Sequence, residues 1–282
     1  MRKYIISYAS KGYYSLQDRF ENSVKNTDCK VISYSDRWLK FQAFYKENSE
    51  IFKNLRGGGF WLWKPFIIKD ILSKMNYGDI LFYSDVDAIF LDNINILFDI
   101  CDKNEILLFK NSNQINAKWT KRDCFVLMGA DDKQYHYAPQ VNAAFLTVKK
   151  TIFTEKLIDE WIHFSCDYRI LTDCENEMGY NNLEEFIEHR HDQSILGILA
   201  CRWNIELYRD PTEFGNMYKK NEYRVMNEYL EHGDYSENLV LSNSNYGTLL
   251  SFDGDNLQMK KFRNNIIYKT IRFVKHVLLV LF

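Results

Sequence analysis

Two carboxylates, Asp85 and Asp87, stand one residue apart directly after the apolar run Ile80-Leu81-Phe82-Tyr83. Such a run reads as a buried strand, and side chains leaving its end can point into one crevice. Left alone, the two acids repel each other and resist ionisation. A divalent cation removes that conflict, because hard oxygen donors suit Mg2+ or Mn2+. The same cation can bridge two phosphate oxygens and stabilise a departing diphosphate. The bland alternative is a pair of turn-forming acids that cap a strand.

The elements that must position this pair are also legible. Strand character is expected at residues 4–9, 30–34, 80–83, 105–109 and 143–148, with helices over 12–26 and 151–164. Gly57-Gly58-Gly59 reads as a flexible turn. It precedes Trp61-Leu62-Trp63-Lys64-Pro65, where Pro65 suits the first turn of a helix. Phe66, Ile67, Ile68, Ile71, Leu72 and Met75 give that helix an apolar face. Alternating strands and helices predict an α/β fold, with a mostly parallel central sheet flanked by helices. Ligands of such sheets gather at the carboxyl ends of the strands.

Composition narrows the class. Of 282 residues, 46% are hydrophobic and 26% charged, which excludes a disordered chain, a collagen-like fibre and a coiled-coil rod. The net charge of −2 argues against a nucleic-acid binder. That average hides an asymmetry: no acid follows Asp255, whereas Lys260, Lys261, Arg263, Lys269, Arg272 and Lys275 do. A body at 1–255, of charge about −8, therefore precedes a basic tail at 256–282. The six cysteines form no C-x-x-C pair and read as reduced thiols of a cytosolic protein. Neither a signal peptide at the start nor a spanning helix is expected.

Taken with its surroundings, the acidic pair resembles the DxD motif of bacterial GT-A glycosyltransferases, the nucleotide-sugar-dependent enzymes related to families 8 and 32. The anchors are Trp63-Lys64-Pro65, Gly78-Asp79-Ile80-Leu81, Ser84-Asp85-Val86-Asp87 and His191-Asp192-Gln193-Ser194-Ile195-Leu196, and the resemblance runs over most of 4–216. It implies a GT-A (Rossmann-like) fold and transfer of a hexose from a UDP-sugar, with retention of configuration, onto lipopolysaccharide or capsular polysaccharide. Asp85 and Asp87 would hold Mn2+ (or Mg2+), and Asp85 would also reach ribose or sugar. Tyr8, Ala9 and Ser10 would surround the uracil, although Tyr8 could equally be a packing aromatic. Lys64 would contact sugar or phosphate, or lie solvated beside its helix. The segment Gln140-Val141-Asn142-Ala143-Ala144-Phe145, read as leading into a strand, would line the donor-sugar pocket through Asn142 and Ala143, with a structural turn as the competing role for Asn142.

In the same resemblance Asp192 and Gln193 lie near the reacting sugar carbon. Asp192 also has the chemistry of an N-cap for the helix that follows. Lys121 and Arg122 are candidates to fold over a diphosphate, and His189 or His191 to bind an acceptor. His232-Gly233 is a candidate for a third metal ligand. Tyr208-Arg209-Asp210-Pro211-Thr212-Glu213-Phe214-Gly215 reads as a packed turn after the last strand, with an acceptor-binding loop as the alternative. In the tail, Lys269, Arg272, Lys275 and His276 share one helical stripe, so a basic amphipathic helix on an anionic membrane is expected, with docking on the body as the alternative. That places the chain at the inner face of the cell membrane. Two rivals remain: a haloacid dehalogenase-type phosphatase using Asp85 and Asp87, and a non-catalytic sugar-nucleotide-binding protein.

Overall fold

The computed structural model describes residues 1–216 and 243–252. The basic tail and His232-Gly233 lie outside the described residues. Six strands form one sheet: β1 (Lys3–Ala9), β2 (Lys30–Ser35), β3 (Ile80–Ser84), β5 (Ile106–Ile115), β6 (Pro139–Lys149) and β7 (Leu207–Arg209). Two further two-residue strands, β4 (Ile89–Phe90) and β8 (Leu250–Ser251), pair with each other. The order in the sheet is β2-β1-β3-β6-β5-β7. Among the described residues, pairs β1–β2, β1–β3 and β5–β7 are parallel, and β6 runs against both of its neighbours. The fold is therefore α/β with a mostly parallel sheet flanked by helices.

Period-two alternation decides which helices cover which face. Tyr4 and Ile6 on β1, and Leu81 and Tyr83 on β3, pack under α2 (Trp63–Lys74), α4 (Ile152–Ser165) and α5 (Asp192–Arg202). Ile5, Ile80 and Phe82 point the other way, towards α1 (Tyr14–Val24) and α3 (Asn95–Asn104). All five β3 residues are buried, which is why that strand reads as a continuous apolar run rather than an alternating one. Asp79 fixes where β3 begins: its carboxylate accepts from the backbone N–H of Arg2 at 2.7 Å and of Asn76 at 3.1 Å.

Helix α4 opens as the sequence suggests, with Thr151 and Thr154 forming a reciprocal capping box. Three expectations are corrected. Gly57-Gly58-Gly59 is not a loose turn. Gly57, Gly58, Gly59, Phe60 and Trp61 all carry positive φ (57°, 59°, 97°, 53° and 59°), making a left-handed turn that side chains pack tightly. A Cβ at Gly57 would meet the Trp61 ring at 2.4 Å, and one at Gly59 would meet Phe52 at 2.5 Å. Residues 140–145 do not precede a strand but lie within β6, which begins at Pro139 and is irregular there. Leu108 opposes Leu146 while the next residue, Phe109, opposes Asn142. Ala143, Ala144 and Phe145 are thus left unopposed on the β5 side as a bulge. The third correction concerns the cap of α5 and is described with the site.

Candidate active site

Chain reversal at the carboxyl end of β3 sets up the acidic pair. The Asp85 N–H donates to Ala144 O on the β6 bulge at 2.8 Å, and the Ala88 N–H returns to Asp85 O at 3.3 Å. Val86 and Ala88 are buried, whereas Asp87 is exposed and Asp85 is partly so. Both aspartates face a cleft of about 600 Å3. Tyr8 and Ser10, at the end of β1, line the same cleft, as do Trp61 and Trp63. Tyr8 stacks on Trp63 with ring centroids 3.9 Å apart, so it is a packing aromatic and a cleft wall at once. Ala9 is buried behind it.

Beneath the cleft floor lies a buried ion cluster. Lys64 is only 3% exposed. Its Nζ is 3.0 Å from Asp192 Oδ2 and 3.5 Å from Asp85 Oδ1, and donates to Ala143 O at 3.0 Å. Asp85 Oδ1 also accepts from the Tyr83 hydroxyl. Burial opposes the charge on Lys64, but the Asp192 and Asp85 carboxylates outweigh it and hold the ammonium above the usual lysine value. Burial pushes the Asp192 carboxyl up to about 6, against the pull of Lys64. Both are ionised at neutral pH. Lys64 is therefore neither a solvated lysine nor a cleft residue: it sits under Asp85 and ties β3, β6 and α5 together.

The start of α5 differs from the sequence expectation. His191, not Asp192, occupies the cap position, with φ 54° and ψ −120°, and Asp192 is the first helical residue. The Asp192 side chain turns to Lys64, a buried ammonium and hence a strong partner for a carboxylate. Its carbonyl accepts from Trp161 Nε1 at 3.0 Å. Gln193 follows, and its Oε1 accepts from the Ala143 N–H at 3.2 Å. Asn142 donates from Nδ2 to Asp210 Oδ2 at 2.7 Å and accepts from the Ala144 N–H at 2.9 Å. Asn142 and Gln193 thus brace the two flanks of the bulge that presents Asp85.

Other candidates go elsewhere. Lys121 is buried and donates to Cys174 O at 2.9 Å, and Arg122 forks onto Asp131. Neither lines the cleft. His189 is buried with one ring nitrogen 2.8 Å from Ile170 O, and the other accepts from the Lys121 N–H at 3.3 Å. Burial, and next the neighbouring His191, push His189 well below the usual histidine value. Burial likewise lowers His191 to about 4. Both are neutral structural groups rather than free ligands. Asp210, on the expected turn after β7, caps that turn by accepting from the Thr212 N–H at 2.8 Å.

Several cleft residues escaped the sequence reading, among them Lys11, Tyr13, Asn54 and the acid Asp36. Asp36 immediately follows β2 and lines the cleft, its carboxylate receiving the Tyr14 hydroxyl and Lys40 Nζ at 3.2 Å. The signal was present, since an acid at the carboxyl end of a strand adjoining β1 stands where ribose hydroxyls are bound in nucleotide folds.

The residues also bear on a metal. Among the described residues no group of three or more His, Cys, Asp or Glu side chains could cage an ion. A pair of carboxylates open to a cleft is, however, what Mg2+ or Mn2+ uses when substrate phosphates and water complete its shell. The crowded cleft wall, and then the Asp85 charge, push Asp87 up to about 6. Solvent reaches Asp87 from the cleft, and its repulsion with Asp85 is one that a cation relieves. The donor set fits such an ion.

No family model matches the sequence, and no curated protein matches it. Solved structures do. The chain is similar to the apo bifunctional glycosyltransferase WbbM (10% identity, TM-score 0.41), over 70% of this chain and 37% of that one. It is similar to mouse xyloside xylosyltransferase 1 (10% identity, TM-score 0.45), over 91% and 99% of the two chains. It is also similar to the galactosyltransferase LgtC in complex with donor and acceptor sugar analogues (14% identity, TM-score 0.43), over 88% and 85%. Likeness at these scores leaves the function to be argued from the chain's own residues.

Proposed function

We propose that this chain is a GT-A glycosyltransferase, akin to bacterial families 8 and 32, that transfers a hexose from a UDP-sugar to a lipopolysaccharide or capsular glycan. The observation that carries the reading is the acidic pair: Asp85 and Asp87 open, at the carboxyl end of β3, into an aromatic-walled cleft of nucleotide size. Asp85 and Asp87 would hold Mn2+ or Mg2+, which supplies charge neutralisation for the departing diphosphate. Tyr8, Ser10 and Asp36 take the nucleoside, through a ring edge, a hydroxyl and a carboxylate respectively.

Lys64 holds Asp85 in place from beneath, 3.5 Å from its Oδ1, while pairing with Asp192 on its other side. Asn142 and Ala143 shape the donor-sugar side through the bulge. Asp192 and Gln193 stand at the same bulge, and the reading gives Gln193 the task of orienting the sugar as its anomeric bond breaks, with retention of configuration. The excess of Lys and Arg in the tail sequence supports attachment to an anionic membrane at the cytoplasmic face, close to lipid-linked acceptors.

A panel of nucleotide sugars, screened for Mn2+-dependent release of nucleoside diphosphate, tests the reading. Release from at least one UDP-hexose, lost in Asp87→Asn with the fold intact, supports it. Hydrolysis of simple phosphate esters with Mg2+ and no turnover of any nucleotide sugar would replace it with the phosphatase.

A further inference from the structure

A second hollow, of about 400 Å3, lies on the other side of the left-handed turn. The turn is a shared wall. Gly57, Gly58 and Trp61 face the Asp85–Asp87 cleft, Phe60 faces the second hollow, and Asn54 borders both. Phe60 and Trp61 hold positive φ, a conformation that costs non-glycine residues energy and persists only where packing over-determines it. His191 supplies that packing, with its ring 4.9 Å from Phe60 and 5.5 Å from Trp61. The strain sends two adjacent aromatic side chains into two different cavities.

The lining of the second hollow has a definite chemistry. Tyr168 offers an exposed ring, and its hydroxyl is already committed to Glu177. Glu50 and Asp173 supply carboxylates, and Asn54 an amide. Asp173 accepts from Arg56 through Oδ2, while its Oδ1 lies 3.6 Å from His191 Nε2, a buried nitrogen with no hydrogen-bond partner among the described residues. Acceptor capacity therefore remains on that carboxylate. Among the described residues no lysine, arginine or histidine lines the hollow, and the nearby Lys53 and Arg56 are already paired with Glu50 and Asp173, so phosphate and carboxylate ligands are disfavoured. An aromatic face with convergent carboxylate and amide groups suits a neutral polyhydroxylated ring: C–H groups stack on the ring, and hydroxyls donate to the acids.

We propose that this hollow is a second sugar-binding subsite, holding a neutral hexose unit of the acceptor glycan remote from the attacking hydroxyl. The inference rests on the glycosyl-transfer reading for its acceptor, but its binding chemistry can be measured separately.

Saturation-transfer NMR on the full chain, with neutral tri- and tetrasaccharides of glucose, galactose and N-acetylhexosamine, provides the test. At least one oligosaccharide should bind, and Tyr168→Ala and Glu50→Gln should each weaken it tenfold or more. Tyr168→Phe, which keeps the ring, should retain binding. UDP–Mn2+ affinity, measured in the same samples, should be unchanged in all three variants. Absence of oligosaccharide binding, or binding indifferent to Tyr168→Ala and Glu50→Gln, overturns the subsite whether or not UDP binds. Oligosaccharide binding that follows the variants in a protein that never binds UDP would keep a saccharide site and remove the glycosyl-transfer reading instead.

Discussion

Lys64 Nζ lies 3.0 Å from Asp192 Oδ2 with both side chains buried, and the same ammonium reaches Asp85 Oδ1 at 3.5 Å. One cation thus serves the acid that opens to the cleft and the acid that begins α5. Removing it strands two carboxylates. Lys64→Met is expected to cost about 3–5 kcal/mol of folding stability, the range for breaking a buried pair from one side. Chemical denaturation checks this, and Lys64→Met/Asp192→Leu should lose less than Lys64→Met alone, because the orphaned charge is gone.

The raised carboxyl of Asp87 predicts a pH dependence of cation binding. Its folded value, up to about 6, lies above the ordinary aspartate value, so a proton competes with the cation as pH falls through 6. Mn2+ affinity in the presence of UDP should fall by up to tenfold per pH unit below that point and level off above it. Asp87→Asn should abolish tight binding and, with it, this slope.

Asp192 gives a stability signature of opposite sense to an ordinary salt-bridged acid. Because its folded value is raised, the folded state binds the proton more readily than the unfolded chain between about pH 4 and 6. Its contribution should therefore make the protein less stable as pH rises through that window, with no further change above it. Urea midpoints from pH 4 to 8, for wild type and Asp192→Asn, should show this component only in the wild type.

The left-handed turn is predicted to be intolerant of a side chain at Gly57 or Gly59. Gly59→Ala places a Cβ 2.5 Å from Phe52 at φ 97°, which calls for a loss of about 1–3 kcal/mol. Since Trp61 and Trp63 wall the cleft from the same segment, UDP affinity should fall together with thermal stability. Unchanged melting with unchanged affinity would show that the turn does not shape the cleft.

The tail proposal is tested in the full chain by Lys269→Glu/Arg272→Glu/Lys275→Glu. Co-sedimentation with phosphatidylglycerol vesicles should drop at least tenfold, and turnover of a soluble acceptor should be unaffected. Equal sedimentation would remove the membrane role.

Much of the sheet was legible because its strands are apolar runs with clear ends: residues 80–83 and 30–34 each fall one residue short of the observed β3 and β2. The acidic pair was legible for the same reason, since a strand this apolar must end where the acids begin. What could not be read depends on contacts distant in sequence. Nothing local to Lys64 reveals that Asp192, from another helix, and Ala143 O, from an antiparallel strand, converge on it. The bulge at Ala143 is invisible because it exists only relative to β5. His191 takes the cap position of α5 at positive φ because its ring is held against Phe60 and Trp61, a tertiary constraint that overrides the N-cap preference of Asp192.

The most direct measurement is Mn2+ titration monitored by electron paramagnetic resonance, with and without UDP, on wild type and on Asp85→Asn and Asp87→Asn. The account predicts a single cation bound tightly only when UDP is present, and lost in either variant while circular dichroism stays native. Cation binding that ignores UDP, or that survives both substitutions, would contradict it.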